Sequence, residues 1–92
     1  MENEELEKEF NIGDWVIPNN RTDFLDHMVY RIDSIDEDPK YTFYYLTNYY
    51  LSDNKIIFRK IPYLKQEIYN DFSVVEKPNW FEGKEMKDFD NW

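Results

Sequence analysis

From Met28 to Ile35 the chain alternates with a period of two. Met28, Tyr30 and Ile32 fall on one side, Arg31 and Asp33 on the other, the pattern of a half-buried strand. A shorter β-prone run precedes it, Trp15-Val16-Ile17, entered through Gly13-Asp14 and ended by Pro18. Between them lies a polar loop, Asn19 to Asp23, and Phe24 to His27 makes a single turn or the run-in to the next strand. The longest run is Tyr41 to Leu51, with Tyr41, Phe43, Tyr45 and Tyr49 on one side and Tyr44 and Tyr50 on the other. It reads as one bent strand or as two strands broken near Thr47-Asn48.

Turn chemistry separates these runs. Asp36-Glu37-Asp38-Pro39-Lys40 is an acidic turn, and Ser52-Asp53-Asn54-Lys55 is a hairpin turn in which Asp and Asn stand in for glycine. Ile56 to Ile61 is the return strand, and Pro62 is expected to stop it. Tyr63 to Tyr69 has room for a short helix, since Leu64 and Ile68 share a face. Asp71 to Glu76 is a last short strand, and a tail with Trp80, Phe81, Phe89 and Trp92 among acids follows. No internal repeat is present. The pattern predicts a mainly β fold: a small barrel or strongly bent antiparallel sheet of about five strands, one short helix and an irregular aromatic tail. Three segments result: an acidic extension over residues 1–9, a β domain over 10–77, and the tail over 78–92.

Three stretches carry a family resemblance: Phe10-x-Ile12-Gly13-Asp14-Trp15-Val16, then Val29-Tyr30-Arg31-Ile32-Asp33-Ser34-Ile35, then Phe72-Ser73-Val74-Val75-Glu76. Together they resemble the small SH3-like barrels found among phage and bacterial proteins. The resemblance covers about residues 10–77 and implies a fold only, because such barrels host many functions. The aromatic middle strands and the Trp-rich tail depart from the simple barrel.

Composition adds two constraints. Ninety-two residues feed one core, and eighteen aromatics (three Trp, eight Tyr, seven Phe) can make it a rich one. That number exceeds what a small barrel readily buries, which predicts a homodimer joined through the tyrosine face. Without cysteine there is no disulfide, thiolate nucleophile or thiolate-bound zinc, and a reducing cytoplasm suits the chain. Met1-Glu2-Asn3-Glu4-Glu5 is unlike a signal peptide, and no apolar run is long enough to span a membrane.

The net charge is −9. Residues 1–9 hold five acids and one base, residues 10–75 ten acids and seven bases, residues 76–92 five acids and three bases. Direct binding to nucleic acid or to an anionic membrane is therefore disfavoured, and a basic protein partner is favoured.

Little in the chain points to catalysis. The one histidine, His27, has no accompanying nucleophile motif, the three serines sit in strand or turn contexts, and no phosphate-cradling glycine loop occurs. The oxygen-rich stretch Asp33, Asp36, Glu37 and Asp38 lacks the glycine and spacing of an EF-hand, so it reads as a solvated hairpin. A non-enzyme without cofactor or metal is expected.

What remains is surface recognition. Carboxylates two apart on a strand lie about 6–7 Å apart, close to the spacing of phosphates along a nucleic-acid strand. Asp33, Asp36, Glu37, Asp38 and Asp53 are the candidates for such an array. The tail Asp88-Phe89-Asp90-Asn91-Trp92 resembles the acidic-aromatic tips of single-stranded-DNA-binding proteins, which dock into basic pockets, while Trp80 and Phe81 are expected to fold back over the core. The leading expectation is a small phage- or mobile-element-type inhibitor in the host cytoplasm. It would block the basic nucleic-acid-binding surface of a nuclease or other defence protein through those carboxylates, with Tyr44, Tyr50, Phe89 and Trp92 among the anchors. The alternative is an SH3-like interaction module or structural subunit that binds through exposed aromatics.

Overall fold

The computed structural model of the protein describes residues 9–21 and 25–89. The chain is mainly β. Among the described residues six strands form one sheet: β1 (Trp15–Pro18), β2 (Met28–Glu37), β3 (Thr42–Ser52), β4 (Lys55–Leu64), β5 (Phe72–Val75) and β6 (Glu85–Asp88). A short helix, α1 (Lys65–Asp71), precedes β5, and a 3-10 turn (Asn79–Phe81) precedes β6. The order across the sheet is β5-β1-β2-β3-β4-β6, antiparallel except for the parallel β4–β6 edge. Among the described residues no helix is long and apolar enough to cross a membrane.

Local chemistry accounts for the turns. Gly13 takes a φ of 96°, and the Asp14 carboxylate accepts the Asn11 backbone N–H at 2.9 Å, tightening the turn into β1. Asp53 and Asn54 hold φ of 52° and 65°, which closes the β3–β4 hairpin between Ser52 and Lys55. The run expected over Tyr41–Leu51 is one unbroken strand, β3, which begins at Thr42 and pairs with β2 over Thr42–Tyr50 and with β4 over Phe43–Ser52.

Two features depart from the expected pattern. Pro62 does not end β4, which runs on to Leu64. Beyond Phe58 β6 no longer pairs with β4, so Pro62 lies at a sheet edge, where a missing N–H is tolerated. The segment set apart as a tail is also not wholly irregular, since Glu85–Asp88 pairs with Lys55–Phe58 and extends the sheet.

The sheet curls. Phe72 in β5 and Tyr63 in β4 have three strands between them, which in a flat sheet would separate them by about 19 Å. Their ring centroids are 5.2 Å apart. One face is therefore an inner, concave one, lined by Val16, Ile32, Tyr44, Leu46 and Phe72 and closed by Ile68 of α1 and by Phe10. A second core lies on the outer face, where Ile17, Val29, Tyr49 and Ile56 pack under Leu25, Trp80 and Phe81. Trp80 is tied down by its indole N–H, which donates to the Leu25 carbonyl at 2.9 Å.

The aromatic core carries a pH signature. Burial pushes the phenols of Tyr44, Tyr49 and Tyr63 above the usual tyrosine range; the Tyr69 contact adds to it for Tyr44, Tyr30 adds to it for Tyr63, and Arg31 partly opposes it for Tyr49. The stability these neutral phenols contribute is intact below the unfolded value of about 10 and is lost as pH rises above it. Denaturant midpoints should hold steady up to about pH 10 and fall beyond it. Tyrosinate absorbance should rise in two steps, the second coinciding with loss of circular dichroism. A single step with the fold intact would contradict this burial.

Candidate functional site: two open half-faces

Each face of the sheet is covered over half its length, and the covers lie at opposite ends. α1 packs on the inner face toward the β2–β3 hairpin, against Tyr44 and Leu46. Trp80 and Phe81 pack on the outer face toward the β3–β4 hairpin, against Tyr49 and Phe58. Among the described residues nothing covers the other two half-faces, and both are aromatic.

The first is on the outer face at the β2–β3 end. Tyr41, just before β3, and Phe43 and Tyr45 within it stand two residues apart, with ring centroids 6.3 and 6.5 Å from one to the next. Tyr41 is 57% exposed and Tyr45 38%. Cross-strand pairing places Asp36 beside Phe43 on β2, and Pro62 beside Tyr45 on β4. The result is an apolar ladder with a carboxylate on its rim. Next to it the hairpin carries Asp36, Glu37 and Asp38 against Lys40.

The second is a groove of about 340 Å³ on the inner face at the β3–β4 end, lined by Asn48, Tyr50, Ser52, Ile57, Arg59 and Phe89. Arg59 lies over the Phe89 ring at 5.1 Å from its centroid. His27 packs edge-on against Tyr50 at 5.7 Å, which gives this histidine a packing role.

The residues singled out from the sequence are dispersed. Tyr50 and Phe89 meet in the groove. Tyr44 is only 4% exposed and packs against Tyr69, so it belongs to the core and cannot anchor a partner. Asp33 is the extra residue of a bulge in β2, between Ile32 and Ser34. Its carboxylate accepts from the Thr47 hydroxyl and pairs with Arg31 at 3.4 Å, an arrangement that holds it in the sheet instead of presenting it in an exposed array. Asp38 accepts the Lys40 backbone N–H at 3.0 Å and shapes the turn. Asp36 and Glu37 are exposed. Asp53 is at the other end of β3, about 30 Å from Asp36 at ~3.3 Å of rise per residue, so the five acids do not form one row. Asp88 closes β6, and Asp90 and Trp92 lie outside the described residues. Among the described residues no three acids or histidines converge as a metal site would require.

The ladder of Tyr41, Phe43 and Tyr45 was legible as an alternating run, but its exposure was not. Which side of β3 is covered depends on α1 and the 3-10 turn, both remote in sequence. Comparison with protein-family models, curated proteins and solved structures finds no match.

Proposed function

We propose that the protein is a non-catalytic protein-binding domain that takes an extended basic segment of a partner along the Tyr41–Phe43–Tyr45 ladder. The supporting observation is a row of three aromatics, Tyr41 and Tyr45 exposed and Phe43 half-buried between them, beside Asp36 on an acidic hairpin. Contiguous exposed apolar surface on a small domain marks an interaction site. Arginine or lysine side chains of the partner stack on the rings and reach Asp36, while the net charge of −9 raises the encounter rate. This joins the two expectations drawn from the sequence: aromatics supply the contacts, and acidity selects a basic partner. Simple nucleic-acid mimicry has less behind it, because Asp33 and Asp38 serve the fold and Asp53 lies far away.

A fluorescent peptide of alternating arginine and leucine serves as a probe in anisotropy titrations. Joint replacement Tyr41→Ala and Tyr45→Ala should weaken binding about tenfold or more, equivalent to about 1.4 kcal/mol. Asp36→Lys should weaken it a few-fold and flatten its salt dependence. A carboxylate-only site would give the reverse: indifference to the tyrosine changes and collapse on charge reversal.

A further inference from the structure

The groove at the β3–β4 end differs from the ladder in charge. Residues 1–54 carry thirteen acids and four bases, whereas residues 55–92 carry seven of each. The acid excess thus lies before β4, and the part of the chain containing β4 and β6 is balanced. Register places it more closely. Lys55, Ile57 and Arg59 point to the inner face of β4, and the parallel β6 sets Glu85 beside Lys55 and Lys87 beside Ile57. Arg59 thus lines a floor of Tyr50, Ile57 and Phe89, and register sets the exposed Lys55 and Lys87 on the same side of the sheet, with Glu85 beside Lys55. Nothing in the proposed use of the ladder engages this surface, which lies on the opposite face of the sheet.

We propose that this groove is a second binding site, for an acidic peptide segment that inserts one bulky apolar side chain flanked by carboxylates. The apolar side chain would lie against Tyr50, Ile57 and Phe89 in a cavity of about 340 Å³. Its flanking carboxylates would meet Arg59 and Lys87, with Asn48 and Ser52 supplying polar contacts at the wall. Arg59 already lies over Phe89, so its guanidinium is held at the site. Charge decides against a nucleic-acid strand as the occupant. A polyanion would meet the field of a protein of net charge −9 along its length, whereas a peptide with two or three carboxylates feels mainly the cations within about 8 Å at physiological salt. A domain with one acidic and one basic aromatic surface can hold two unlike segments at once.

The test uses the full chain and fluorescent peptides of repeating Asp-Phe-Asp, with Ser-Phe-Ser peptides and a thymidine oligonucleotide alongside. The acidic peptide should bind, the serine peptide at least about tenfold more weakly, and raising salt should weaken the acidic peptide several-fold. Arg59→Glu should reduce affinity about tenfold or more, Arg59→Lys should retain most of it, and Lys87→Glu should give an intermediate loss. Both positions are exposed, so thermal midpoints should stay near that of the unaltered protein. Equal binding of the serine peptide, tighter binding of the oligonucleotide, indifference to Arg59→Glu, or failure of the acidic peptide to bind would each overturn the proposal. The arginine–leucine probe reports on the ladder separately, so failure of one site does not mimic failure of the other.

Discussion

Replacing Ile68 with Ala should cost about 3 kcal/mol and lower the thermal midpoint by roughly 12–24 °C. Ile68 is fully buried and is the one buried residue of α1. Seven residues are too few to hold a helix in water, so α1 exists because Ile68 seats it among Val16, Ile32, Leu46 and Phe72. Truncation removes that anchor and opens a cavity where the sheet curls most tightly. A domain of this size has about 5–14 kcal/mol to lose, so the effect is a large share of the total. Glu67 provides the control. Its carboxylate accepts the Leu64 backbone N–H at 2.8 Å, and Glu67→Ala removes only that cap, at about 0.5–1 kcal/mol. Denaturant unfolding of both variants settles the ranking. Equal losses would mean that α1 does not close the inner core.

Local rules made much of this fold readable. The Asp53-Asn54 turn followed from side-chain chemistry that tolerates positive φ, and β2 from strict alternation. The short helix before β5 was placed to within two residues with Ile68 as its buried side chain, but Leu64 closes β4 and caps the helix instead of sharing its face. The misreadings share a cause, which is that they depend on distant neighbours. Pro62 breaks a strand only where its missing N–H is needed, and that is set by where β6 stops pairing. Asp33 looked like one of several surface acids, yet the bulge turns it toward Thr47 on the next strand. Tyr44 and Tyr45 are adjacent aromatics of like propensity, and only the location of α1 decides that the first is core and the second is surface. The candidate site was therefore half visible: its residue types could be named, but the choice among them came from which half of each face is covered.

Phe81→Ala should destabilise the domain by about 2–3 kcal/mol, somewhat below the ~3–5 kcal/mol of a fully buried aromatic, because this ring is only partly enclosed. The loss would be large for a residue in a segment that the sequence marks off as a tail. Its cause is geometric. Phe81 stands edge-on to Trp15 at 4.7 Å and to Tyr49 at 4.8 Å, so it joins β1 to β3 across β2 on the outer face. Arg31 lies over the Trp15 ring at 5.6 Å and Lys77 over Phe81 at 5.7 Å, extending the stack with cations at its margins. Trp80 adds a hydrogen bond to Leu25 beside it. If the 3-10 turn is part of the core, a double-mutant cycle between Trp15 and Phe81 should show coupling of about 0.5–1.5 kcal/mol. The same substitution should leave the Tyr41–Phe43–Tyr45 ladder intact and able to bind while the fold persists, since the ladder sits at the other end of β3. A cost for Phe81→Ala within about 0.5 kcal/mol, the level of an ordinary surface change, would separate residues 79–89 from the folding unit. It would also remove the reason why only one half of the outer face is left open.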